Sequence, residues 1–171
     1  MVFLPSTPNE LKEILELALP QSGRDVDPSK LRYVIYARKS TDEENKQIFS
    51  VEDQVSVCVE YAEKLNLPVR KEDILQEKMS AKEPDIRPVF REMLNNLKSG
   101  KYDGIIAWHP DRLARNMKEA GEVIDLLDKN IIKDLKFPSF SFINDTSGKM
   151  LLGITFVLSK EYSDKLSDDV S

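Results

Sequence analysis

A chain of 171 residues, 40% hydrophobic and 32% charged, holds one domain with a sizeable core and room for an appendage. Its net charge of −5, from 25 basic and 30 acidic residues, argues against holding DNA by bulk electrostatics. A single cysteine, Cys58, and a single histidine, His109, exclude an internal disulfide, a cysteine zinc cluster and a multi-histidine metal site.

No apolar run approaches the ~18 residues that span a bilayer. Met1–Pro5 is too short and uncharged for a secretory signal, so a cytoplasmic location is expected. Residues 1–30 read as a leader. Thr7-Pro8-Asn9-Glu10 resembles a capping box with Leu11, Ile14, Leu15 and Ala18 on one helical face behind it, and Gln21–Lys30 has linker composition. Tyr33–Ala37 is a β-rich apolar run short enough for a buried strand, and it gives way abruptly to Arg38, Lys39, Ser40 and Thr41.

Ser50 opens a helix carrying Val51, Val55, Cys58, Ala62 and Leu65 at helical spacing, which makes Cys58 a buried structural thiol. Val69–Gln76 is a weaker strand and Met79–Asp85 a polar loop. Pro88–Leu97 is a helix with Phe90, Met93, Leu94 and Leu97 on one side, stopped by Gly100. Asp103–Trp108 is a buried strand, Asn116–Asn130 a helix on Ala120, Val123, Ile124 and Leu127, and Lys136–Ile143 an edge strand because of Pro138. A last helix runs from Ser147 to about Asp169 with Leu151, Ile154, Val157, Leu158, Tyr162 and Leu166 apolar. It is long enough to overhang one small domain and pack on a second subunit. Alternating strands and helices predict an α/β fold: a mostly parallel sheet of about four strands, flanked by helices, with a long C-terminal helix. There is no G-x-G-x-x-G and no G-x-x-x-x-G-K-[ST], so nucleotide binding has no support.

Ligands of open α/β sheets bind outside the carboxyl ends of the strands. Ser40, two residues from Arg38 at such an end, suits an oxygen nucleophile beside a phosphate anchor; a plain polar turn is the competing reading. After the strong strand comes His109-Pro110-Asp111-Arg112-Leu113-Ala114-Arg115. If Asp111–Arg115 is helical, Arg112 and Arg115 project to nearly the same side and offer forked donors to phosphate oxygens. A surface Asp–Arg pair at a helix start would leave the same trace. Arg87 precedes a helix at Pro88, where phosphate is favoured, and Arg91 one turn later reads as a solvated neighbour.

Taken together, Tyr36-Ala37-Arg38-Lys39-Ser40-Thr41, Ser50-Val51-Glu52-Asp53-Gln54, Arg87-Pro88 and Asp111-Arg112-Leu113-Ala114-Arg115 resemble the catalytic domain of serine site-specific recombinases. Tyr162-Ser163-Asp164-Lys165-Leu166-Ser167 is more similar to the large members than to small resolvases or invertases. The resemblance covers roughly Leu31 to the C-terminus. It implies attack by Ser40 on a DNA phosphodiester, a 5′-phosphoserine link, a released 3′-hydroxyl, strand exchange within a tetramer and religation, without metal or nucleotide cofactor. It further implies Arg38, Arg87, Arg112 and Arg115 on the phosphate, Asp111 as arginine-orienting group or acid, and Tyr36 and Gln54 in support. Glu77 falls where the family often carries an acid, and a structural or solvated role is expected for it. His109 has no counterpart motif; it is available as a base, though the family works without one.

Two departures are Ser80-Ala81 where the family reads Ser-Gly, and Ala114 where glycine is frequent. The expected organisation is a leader (1–30), a resolvase-type catalytic domain (31–146) and an oligomerisation helix (147–171) leading to a DNA-binding region absent from this chain. The expected partners are double-stranded DNA, through those absent domains, and a homodimer or homotetramer, with no membrane and no nucleotide. Lys149, Lys160 and Lys165 stand against Glu161, Asp164, Asp168 and Asp169 on the last helix, so these residues alone are expected to bind DNA weakly. The alternatives are a metal-dependent nuclease or phosphatase on a similar sheet, and a non-catalytic assembly module derived from a recombinase.

Overall fold

A computed structural model describes Thr7, residues 27–39, 50–78 and 87–170, the last with side chains as far as 159. The expected leader helix, the polar loop after Glu77, and Ser40 lie outside the described residues. Among the described residues four strands, β1 (Tyr33–Arg38), β2 (Ile74–Glu77), β3 (Gly104–Ile106) and β4 (Asp134–Lys136), form one sheet in the order β2-β1-β3-β4. Every pairing is parallel.

All six residues of β1 are buried, as a central parallel strand covered on both faces requires. Alternation along the strands sorts the core into two layers. Val34, Tyr36, Ile105 and Leu135 face one layer, packed under helices α2 (Pro88–Lys98), α4 (Met117–Asp128) and α5 (Thr146–Val170). Tyr33, Ile35 and Ile106 face the other, where Cys58 and Ala62 of α1 (Val51–Lys64) cover them.

Local chemistry sets the helix starts. Ser50 and Asp53 make a reciprocal capping box on α1. Asn116 accepts the Glu119 amide at 2.9 Å to start α4. Arg87, at the N-cap of α2, makes no side-chain cap; Glu77 at the end of β2 does so instead, accepting from the Phe90 amide at 2.8 Å and the Val89 amide at 3.3 Å. A carboxylate there satisfies orphan amides and the helix dipole together. Glu77 is therefore structural, and buried rather than solvated.

Two elements differ from the sequence reading. The last strand is Asp134–Lys136, ahead of the expected Lys136–Ile143, because Phe137 to Phe140 closes into a turn with an isolated antiparallel bridge. Helix α3 is a single turn, Pro110–Leu113, and Ala114 is extended, so Arg112 and Arg115 do not share a helix. Among the described side chains of α5, Leu152 and Phe156 are buried, whereas Leu151, Ile154, Val157 and Leu158 are exposed. No helix among the described residues is long and apolar enough to cross a membrane.

Candidate active site

β1 is followed by β2 on one side of it, and the chain then crosses to β3 on the other. The crevice outside the carboxyl ends of β1 and β3 is thus the topological switch point where open sheets bind ligands. Arg38 ends β1, and the turn Trp108–Pro110 follows β3 into α3.

Arg38 is buried. Gln54 of α1 donates to the Arg38 carbonyl at 3.0 Å, holding the end of the strand. The guanidinium donates through Nη1 to the Lys39 carbonyl at 3.2 Å and through Nη2 to the Asp111 carbonyl. Burial first, then the positive charges of Arg87 and Arg112, push its pKa down to about 10. It remains a cation at neutral pH, but one crowded by like charge.

Arg87 lies deeper. Its Nη1 donates to Glu119, its Nη2 to the Tyr36 hydroxyl at 2.7 Å and the Leu113 carbonyl at 2.9 Å, and its guanidinium carbon stacks 4.2 Å from the Phe90 ring centre. Tyr36 in turn donates to Glu77 at 3.1 Å. Burial pushes this phenol above its ordinary pKa against the pull of Arg87, so it stays a neutral donor.

Asp111 lies with Oδ1 at 3.1 Å from His109 Nδ1 and 3.9 Å from Arg112 Nη1. Burial alone would raise its pKa; the His109 hydrogen bond and the charge of Arg112 outweigh that and hold the carboxyl below the usual range. The Nε donors of Arg38, Arg87 and Arg112 are all buried with no acceptor among the described residues. Buried donors are ordinarily satisfied, and three orphaned guanidinium N–H groups in one neighbourhood are the pattern of a site built for an anion. No three Asp, Glu, His or Cys side chains converge there or elsewhere among the described residues.

The structure thus brings together Tyr36, Arg38, Gln54, Arg87, Asp111 and Arg112. It ties Arg115 in through its amide, which donates to Glu119 Oε2 at 2.8 Å. Sequence reasoning missed Glu119. Its one signal was local, an acid three residues after the N-cap Asn116; its partnership with Arg87, 32 residues away, left none.

A family model described as the resolvase N-terminal domain matches residues 33–171. No curated protein matches the sequence significantly. Among solved structures, the N-terminal catalytic domain of TP901-1 integrase superposes with a TM-score of 0.53 at 23% identity, covering 78% of this chain and 97% of that one. The C-terminal catalytic domain of ISC1926 TnpA, an IS607-like serine recombinase, gives 0.48 at 21% identity over 65% of this chain and 72% of that one. At 23% identity the likeness to the TP901-1 integrase domain is one of fold.

Proposed function

The chain belongs to the resolvase N-terminal domain family, whose members cut and rejoin DNA, and from that premise we propose that Ser40 is its nucleophile. The hydroxyl attacks a DNA phosphodiester, the phosphorus–O3′ bond breaks, and a 5′-phosphoserine link preserves the bond energy until a 3′-hydroxyl reverses the step. Strand exchange takes place between the two events. No metal is needed, because guanidinium groups stabilise the charge that develops on the phosphate.

The observation that carries this reading is the set of three buried Nε–H donors, of Arg38, Arg87 and Arg112, that have no acceptor among the described residues. A phosphodiester brings oxygens that accept from them and a negative charge that offsets the like charges which, after burial, depress Arg38. Arg38 and Arg112 meet the phosphate directly, with Arg115 joining from the loop after α3. Arg87 contributes its charge and its Nε–H, while three of its five N–H groups are held by Glu119, Tyr36 and Leu113. Gln54 and Tyr36 hold the frame. Asp111 orients the arginines and protonates the leaving oxygen. Self-association is assigned to the exposed apolar residues of α5.

The test is a covalent adduct. The whole encoded protein is incubated, in EDTA, with DNA carrying the genomic sequence on either side of its gene, and the products are resolved under denaturing conditions. The wild type is expected to yield a protein–DNA adduct mapping to Ser40, and Ser40→Ala none. An adduct on another residue, or one that needs a divalent metal, would refute the assignment.

A further inference from the structure

His109 is the one histidine of the chain, and its imidazole is 30% exposed at the turn from β3 into α3. Nδ1 stands 3.2 Å from the Asp111 amide nitrogen and 3.1 Å from Asp111 Oδ1. A ring nitrogen carries a lone pair or a proton, never both. With the lone pair, Nδ1 accepts from the amide and caps α3, but it then faces the lone pairs of Oδ1, which is buried and has no other donor among the described residues. With a proton, Nδ1 donates to Oδ1 and gives up the amide. The ring is therefore hydrogen-bonded in both states, to different atoms of the same residue.

Among the described residues, charged groups reach it from two elements. From α3 come Asp111 and Arg112, whose Nη1 lies 3.9 Å from the same Oδ1. From β1 comes Arg38, bonded to the Asp111 carbonyl. From the turn after β4 the Phe140 ring meets the imidazole edge-on at 6.1 Å.

We propose that His109 is the proton-holding partner of Asp111 in strand cleavage: a proton kept on Nδ1 against Asp111 Oδ1 passes through the carboxyl to the departing 3′ oxygen. This rests on the reading of Ser40 as nucleophile. In the balanced step the serine oxygen–phosphorus bond forms and the phosphorus–O3′ bond breaks. O3′ takes a proton from the Asp111 carboxyl, the carboxyl takes one from Nδ1, and the serine proton leaves to water. The ring is left neutral and turns to the Asp111 amide, its other hydrogen-bonded arrangement. Religation runs the same transfers backwards: the 3′-hydroxyl holds the proton while the strands are broken and returns it through the Asp111 carboxyl to Nδ1. His109 acts through Asp111 and is a positioning residue. The His109 hydrogen bond also helps hold the Asp111 carboxyl low, as a donor on Nδ1 must.

The test uses the sole histidine. ¹⁵N labelling of the 171-residue chain yields one imidazole spin system, and ¹³C labelling follows the Asp111 carboxyl. In the neutral ring the proton is expected on Nε2 with Nδ1 bare, and in the charged ring Nδ1 carries one. His109→Asn keeps an oxygen for the Asp111 amide and so preserves the cap, but it carries no proton. It is expected to leave the amide spectrum in place and to move the Asp111 titration to higher pH. In the adduct assay on the whole encoded protein it should slow cleavage about tenfold or more at neutral pH and flatten the pH dependence. A neutral tautomer with Nδ1 protonated, an Asp111 titration unmoved by His109→Asn, or an unchanged pH profile of cleavage would overturn the proposal. The carboxyl titration needs no DNA; a wild type that forms no serine adduct would refute the nucleophile, and the titration would still decide the pair.

Discussion

Replacing Glu119 with alanine should cost far more stability than replacing Glu122, although each carboxylate joins an arginine at the start of α2 to α4. Arg87–Glu119 has side chains 2% and 9% exposed; Arg91–Glu122 has 48% and 27%. Loss of Glu119 leaves Arg87 charged in the interior with only neutral oxygens and the Phe90 face for company, and strips the Arg115 amide of its acceptor. Breaking a buried pair from one side costs about 3–5 kcal/mol. At roughly 2–4 °C per kcal/mol for a domain of this size, the melting temperature should fall by about 10 °C. Glu122→Ala removes a solvated pair worth about 0.2–1 kcal/mol, a shift of no more than about 4 °C. Thermal melts followed by circular dichroism at neutral pH measure both. The double change Arg87→Met with Glu119→Met removes both charges and should recover part of the loss. Equal shifts for Glu119→Ala and Glu122→Ala would refute the claim that the buried pair carries the charge of Arg87.

Arg112→Lys or Arg115→Lys keeps the charge but loses the forked donors, and adduct formation should fall by about 10²–10³-fold, while Arg91→Lys leaves it within about twofold. Ile154→Asp or Leu158→Asp places a charge among the exposed apolar residues of α5, and light scattering should report a smaller mass with the circular dichroism retained; unchanged mass would locate self-association elsewhere. Burial would raise the Asp103 carboxyl, but the Arg32 amide and guanidinium and the Lys133 ammonium hold it lower. Its contribution to stability is then full above the ordinary aspartate value of about 4 and lost as pH falls through the lowered value, so Asp103→Asn should flatten the acid side of the stability profile measured by urea titration.

What the sequence determined by itself was everything that depends on near neighbours. The β-rich run Tyr33–Ala37, the helical spacing of Phe90, Met93, Leu94 and Leu97, and the caps at Ser50 and Asn116 are set by contacts within a few residues, so period and spacing reveal them. Arg38, Arg87, Asp111 and Arg112 could be singled out for the same reason, standing at or beside the ends of elements whose limits are locally encoded, whereas Gln54 came only through the family resemblance.

Tertiary structure decided the rest. Arg87 looked, from its place before Pro88, like a phosphate donor at an open helix end. Folding instead puts Glu77 on that helix end and turns Arg87 inward onto Glu119 and Tyr36. Nothing in the neighbouring residues encodes this, because Glu77 lies 13 positions from the Phe90 amide it accepts from, and Glu119 and Tyr36 lie 32 and 51 positions from Arg87. Likewise, the heptapeptide from His109 to Arg115 is compatible with a continuous helix, yet the chain leaves helical geometry at Ala114 and the Arg115 amide bonds to Glu119 instead. Burial makes these long-range choices: a charge or an N–H removed from water must find its partner wherever the sheet order places one, and the β1/β3 crossover, not sequence spacing, puts Arg38, Asp111 and His109 together.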